Sequence, residues 1–500
     1  MRLRPSLYPV LALLAALPAT APSFGLTFVV DRFDDEPTAT GCSPFTASDC
    51  SLRGAVLHAN GTAAADEILL PNGVYQLTVP GVMEDLGNTG DLDIRADLTV
   101  RSALNANPTI VQTAADRIFH VLSPSQVAIF EGPMTLLGGF ANGNNGVEPG
   151  GSIYVTNSNS LSLTNVTLAG GSSQGSGGCL YYGNGMSGDN LTLTDVTVTG
   201  CSSGSSGGGI LVVSDGVQVL FERLLVENCH ASTQGGGLDL RFVTGPAIVQ
   251  DSIVRANTAG GPVQQGHGGG ISLSFGAHVR LVGSSVVGNS AGVDATPSGG
   301  LGGGVDISGA TLELRNSTIS GNRTRGGFSP GPAADIFNAT LDLDHTTVVD
   351  NLSGNPNDRA IRLGNSTLIF EASIVEGGCF ESFPSTMTSQ GYNVERPTDG
   401  SMVTECDLAD PSDVLTAAVV VRPLAGNGGP TPTHALAPDS PAQLLVPSGT
   451  CAAEDQRHAP RSLLFCDAGS FETSGQPPGP WIFADGYESG DAFAWSDETP

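Results

Sequence analysis

The sequence predicts an all-β solenoid: a right-handed parallel β-helix with a short capping helix at its N-terminal end and an irregular cap at the other. Three observations carry this. From Ile153 onward the chain repeats every thirty residues or so, the range in which solenoids are expected. A Gly-rich run before an aliphatic residue marks successive repeats, as in Gly207-Gly208-Gly209-Ile210, Gly235-Gly236-Gly237-Leu238, Gly268-Gly269-Gly270-Ile271 and Gly302-Gly303-Gly304-Val305. Apolar residues then fall into columns once the repeats are aligned. One column is Leu163, Leu193, Phe221, Val249, Leu281, Leu314, Leu343 and Phe370; another is Leu168, Val198, Val226, Val254, Val286, Ile319, Val348 and Val375.

The two columns stand an odd number of residues apart. Side chains on a strand alternate with period 2, so both can face inward only if the chain bends between them. The bend is expected at Asn165, Asp195, Arg223, Asp251, Gly283, Asn316, His345 and Ala372, a column enriched in residues that tolerate left-handed backbone. Farther along each repeat come Asn257, Asn289, Asn322 and Asn351, preceded by Cys201 and Cys229. Stacked Asn side chains can hydrogen-bond from coil to coil, as in cross-β ladders. A β-propeller needs four antiparallel strands in about forty residues, and these repeats are too short for it.

Upstream, Ile68–Tyr75, Leu92–Val100 and Ile118–Ile129 alternate apolar and polar residues between turn signals and read as earlier coils. Leu52–Asn60 has helical spacing, with Leu52, Ala55, Val56 and Ala59 on one face. A short helix there would cap the solenoid, whose end would otherwise expose core and unpaired edge groups. Arg2 and Arg4, the apolar run Val10–Leu17 and Ala19-Thr20-Ala21 read as a secretory signal peptide, too short to span a bilayer. The organisation is then signal peptide 1–21, N-terminal cap 22–62, β-helix 63–394, C-terminal segment 395–472, linker 473–480 and an acidic aromatic tail 481–500. No transmembrane anchor is expected.

Nine cysteines in an exported chain predict disulfides. The expected pairs are Cys42–Cys50, Cys379–Cys406, Cys451–Cys466 and Cys201–Cys229, leaving Cys179 free. The last pair rests on neighbouring coils lying ~4.8 Å apart, within reach of a disulfide. Its alternative is two small buried residues standing in for Asn in the ladder.

Cys50-Ser51-Leu52-Arg53-Gly54-Ala55-Val56, with Ala59-Asn60, Asp66-Glu67-Ile68-Leu69-Leu70-Pro71 and Gly73-Val74-Tyr75, resembles the N-terminal signature of CSLREA-domain proteins, with Gly54 in place of their Glu. Pro423–Leu436, Ser440-Pro441-Ala442, Asp455-Gln456-Arg457, Arg461 and Cys466–Glu472 are similar to the choice-of-anchor Q domain that follows such β-helices. His458 stands where that family has Gly, Ser470 where it has Ala, and Gln443-Leu444-Leu445 also departs from its pattern. The ending from Phe483 to Asp491, with Trp495-Ser496, resembles a tail on proteobacterial exported proteins. The resemblance implies a protein secreted by, or on the surface of, a Gram-negative bacterium, and transfers no catalytic residues.

With 49 acidic against 20 basic residues the formal net charge is −29, and there is no basic stripe for phosphates. The chain is a poor partner for nucleic acid or anionic lipid, and no nucleic acid is expected. Gly266-His267-Gly268 matches a motif of polygalacturonase-like hydrolases, but no paired aspartates are evident beside it. The sequence places like charges together at Asp306 and Asp335, outward on adjacent coils, with Asp239 two coils before and Arg362 next. These four are the candidate binding residues. Arg362 could neutralise the pair, or Asp306 and Asp335 could begin a Ca²⁺ site; no other cofactor is implied. The recurrent Asn-x-Ser/Thr triplets read as bend Asn followed by strand residues. The expected function is a non-catalytic, monomeric, adhesion-like protein binding glycan or another cell-surface ligand. The alternatives are a lyase or glycoside hydrolase acting on acidic polysaccharide, or a structural spacer.

Overall fold

A computed structural model describes residues 25–475 except 43–48, 83, 123–125, 143–147, 158, 184, 186–187, 295–298, 328, 356–357 and 398–402. The expected signal peptide and tail therefore lie outside the described residues, as does most of the expected linker. Among the described residues the chain winds into a parallel β-solenoid whose walls are sheets of 24, 11 and 8 strands. Both apolar columns point into the coil: Leu193, Phe221, Leu314, Val198 and Val226 are fully buried. Every member of the bend column has positive φ, from 44° at Asn316 to 60° at Gly283, including the unfavourable Arg223 and Ala372. That bend lets two inward positions of opposite parity share one core. The N-terminal segments are divided as well, there without a left-handed residue at the break. Asp66–Leu70 and Val74–Leu77 are separate strands, as are Leu92–Ile94 and Leu98–Ser102.

The Asn ladder forms as expected. Asn257, Asn289 and Asn322 each donate through Nδ2 to the Oδ1 of the next Asn at 3.0 Å. The helix forms at Leu52–Ala59, opened by Ser51, whose hydroxyl accepts from the Gly54 N–H. Its four expected face residues are buried, and so, unexpectedly, is Arg53.

Three of the expected disulfides are present: Cys42–Cys50, Cys379–Cys406 and Cys451–Cys466. The fourth is corrected. Cys201 bonds Cys179, not Cys229, and Cys229 is a buried free thiol that burial pushes up to about 12. The reason lies across the coil. Cys179 occupies the third position of a Gly-Gly-x run, where later repeats carry Gly209, Gly237 and Gly270. A Cβ built on Gly209 would lie 3.3 Å from the Cys229 sulfur, and one on Gly237 2.8 Å from Asn257 Nδ2. This column thus faces the Asn/Cys column directly. A cysteine in it meets the sulfur opposite before that sulfur can reach the neighbouring coil.

The C-terminal segment does more than close the last coil; it runs back along the flank of the longest sheet. Thr431 donates to the Gly283 carbonyl, Gln456 donates to the Ser285 hydroxyl and accepts from that of Thr318, and His434 pairs with Ser320. Below these contacts Val420, Leu436, Val446 and Cys466 pack on Val349, Ala372 and Ile374. His458 adopts a φ of 60° and bonds Asp251 at 2.9 Å. That bond, with Glu454 assisting, holds its imidazolium up to about 9. A raised folded value means that protonation stabilises the docked C-terminal segment fully below the ordinary histidine range, near 6.5. The contribution is then lost as pH rises through about 9. Thermal melts of the wild type and of His458→Gln from pH 6 to 10 should differ by about 1 kcal/mol at the acid end, solvent screening included, and converge at the alkaline end.

Candidate functional site

The four candidate residues share one outward column of the 11-stranded sheet. Cα register runs Leu211, Asp239, Ser272, Asp306, Asp335, Arg362. The column does point away from the core, but its carboxylates are covered and not solvated. Asp239 is 0% exposed, Asp335 1% and Asp306 8%. Short Gly-rich segments after the 8-stranded sheet fold back over this face. One of them, Gly266–His267, pairs with Gly300–Leu301 and sets the His267 ring 3.6 Å from Asp306.

The structure brings together Asp306, Asp335, Arg362 and His267. Arg362 donates twice to one oxygen of Asp335, at 2.7 and 3.0 Å, while the other oxygen is buried without a partner. Burial, and then the charge of Asp306, push the Asp335 carboxyl up to about 7. Burial opposes the His267 cation, but contact with Asp306 outweighs it and the net shift is upward. Asp239 stands apart beyond Ser272 and is matched by Arg241 at 2.5 Å. This is a closed, internally neutralised network. Ca²⁺ takes six to eight oxygens, whereas Asp306 and Asp335 here already face a histidine and an arginine.

Sequence reasoning set His267 aside and missed the rest of this face. The same column continues upstream as Asp93, His120, Tyr154 and Tyr181. Tyr154 stacks on His120, with ring centroids 4.8 Å apart, and meets Tyr181 edge-on. At the corner just past the sheet, Phe242 and Phe275 stack at 4.8 Å with ring planes 9° apart, 44% and 58% exposed. Both have left-handed φ, 57° and 56°. On the following coils the corner narrows to Gly309, Asn338 and Asn365, and with Thr311 and Thr340 these line an open groove of about 410 Å³. Phe337 and Phe383 form a second exposed aromatic contact nearby. The available signal was the repeat itself: aligning the positions after each strand of this sheet shows large aromatics where the turn favours Gly or Asn.

Residues 141–301 match the family model for a right-handed β-helix region. Among solved structures the chain is similar to a pectate lyase, Pel9A, at 14% identity and a TM-score of 0.37, over 90% of this chain and 97% of that one. It is also similar to the A-module of the mannuronan C-5 epimerase AlgE6 of Azotobacter vinelandii, at 14% identity and a TM-score of 0.32, over 75% and 96%. No curated protein matches the sequence.

Proposed function

We propose that the protein is an extracytoplasmic, non-catalytic β-helix that binds an extended neutral glycan along the Phe242–Asn365 corner, as a surface or secreted adhesion-like molecule. The observation that carries this reading is the pair Phe242 and Phe275. A half-exposed phenylalanine gains only part of what burial offers, and in left-handed backbone it costs about 1–2 kcal/mol that Gly would not. Two in succession, stacked and solvent-facing, serve something other than the fold. A flat aromatic platform matches the apolar face of a sugar ring. The Asn338 and Asn365 amides and the Thr hydroxyls in the adjoining groove match sugar hydroxyls, and the coil repeat lays these groups along one line. A net charge of −29, with the arginines of this face already paired to aspartates, favours a neutral polymer over an acidic one. Four disulfides suit an oxidising compartment, and no helix among the described residues is long and apolar enough to cross a membrane.

The test is a glycan array followed by titration of the hits. Phe275→Gly is expected to weaken binding at least tenfold while stabilising the fold by about 1 kcal/mol, since strain is removed and no core is lost. Wild type that binds no glycan, or a variant that binds equally, overturns the reading. A second reading, polysaccharide cleavage, draws on the Asp306–Asp335–His267 cluster, where a carboxyl near 7 has the character of a general acid. New reducing ends or unsaturated products from a bound polymer would establish it, and their loss in Asp335→Asn would place it.

A further inference from the structure

At the N-terminal end of the same column the charge balance fails. Asp93 and His120 are in register on adjacent coils, on strands Leu92–Ile94 and Phe119–Val121. Asp85, on the loop before Leu92, folds over them. Asp93 is 0% exposed, and neither carboxylate oxygen accepts a hydrogen bond of ordinary geometry. A buried carboxylate in that state is costly. The guanidinium of Arg117 is committed elsewhere: it pairs with Asp91 at 3.0 Å, with Asp116 and with Glu148. Asp93 and Asp85 are left facing His120, whose Nδ1 lies 3.3 Å from Asp93 Oδ1 and 3.8 Å from Asp85 Oδ1. His120 Nε2 has no partner either, so it is stacking on Tyr154 that fixes the ring.

These separations are long for hydrogen bonds but suit a coordination polyhedron. Two donors each ~2.1 Å from a tetrahedral ion lie about 3.4 Å apart. One oxygen from each of Asp85 and Asp93 and one nitrogen of His120 all lie within 4.8 Å of one another. Asp93 and His120 are held by the sheet, and Asp85, with its side chain 69% exposed, stands at the entrance. We propose that Asp85, Asp93 and His120 form a binding site for one divalent first-row transition ion such as Zn²⁺, independent of any glycan site. The imidazole selects such an ion over Ca²⁺, two carboxylates supply its charge, and solvent can complete the shell.

The test uses chelator-treated, disulfide-intact protein titrated calorimetrically with Zn²⁺ and, separately, with Ca²⁺. One equivalent of Zn²⁺ is expected to bind, at least tenfold more weakly in His120→Gln and in Asp85→Asn, and unchanged in His278→Gln. Should His120→Gln fail to fold, Asp85→Asn decides, because its side chain is largely in solvent. Absence of Zn²⁺ uptake by the wild type, equal uptake by Asp85→Asn, or a response to Ca²⁺ alone overturns the proposal.

Discussion

Replacing Arg53 by methionine is expected to cost about 3–5 kcal/mol and to open the N-terminal end of the solenoid first. All five guanidinium N–H donors are used inside the protein. Nε and one Nη donate to the two oxygens of Asp35, at 2.6 and 3.0 Å, and the remaining donors reach the carbonyls of Gly87, Gly90 and Asp91. Asp35 in turn accepts from the Thr78 and Val79 N–H groups. One buried ion pair therefore ties the capping helix to the loop that closes the first coils. Methionine preserves much of the volume but leaves Asp35 buried without its cation and three carbonyls without donors. Urea unfolding should show the loss, and limited proteolysis should cut within residues 25–95 before any later coil. Asp35→Leu added to Arg53→Met should recover only part, because the Thr78 and Val79 N–H groups would still lack acceptors. A double variant as stable as the wild type would show that the pair contributes specificity and not stability.

What was legible in the sequence and what was not divide along one line. Features that recur from coil to coil, namely the inward columns, the left-handed bend and the Asn stack, follow from aligning the chain with itself, because a solenoid turns sequence period into spatial adjacency. Features that depend on what crosses the coil, or folds over it, do not. Period-2 alternation correctly sent Asp306 and Asp335 away from the core, but it could not show that His267 and its Gly-rich segment would cover them. Column logic put Cys201 beside Cys229, yet the bond is to Cys179, which faces Cys201 across the narrow interior. Arg53 lies off the apolar face of its own helix. Its partners are Asp35, eighteen positions upstream, and the carbonyls of residues 87–91, more than thirty positions downstream. Phe242 and Phe275 were visible as residues, but their meaning needed the backbone angle: only φ near +57° makes an exposed aromatic an anomaly.

The Asn ladder yields the other large effect, and it should be graded by position. Asn289 is 0% exposed, and its side chain makes four hydrogen bonds. Its Nδ2 donates to the Val254 carbonyl and to Asn322 Oδ1, while its Oδ1 accepts from the Asn257 N–H and from Asn257 Nδ2. Leucine of similar shape would leave a backbone N–H, a backbone carbonyl and two side-chain amides short of partners in the core, at about 1–3 kcal/mol for each group not satisfied by relaxation. It would also crowd Gly270, where even a Cβ would stand 2.8 Å from the present amide nitrogen. A total of about 3–5 kcal/mol is expected for Asn289→Leu, near the upper range for single substitutions. Asn351 ends the ladder: it accepts from Asn322 and donates to the Ile319 and Val349 carbonyls, and it is only half-buried, so water can replace part of what is lost. Asn351→Leu should therefore cost about half as much. Denaturant midpoints of the two variants, measured with the disulfides intact, test the gradient. Equal losses would mean that the amides act as independent buried groups and that stacking them coil upon coil adds nothing.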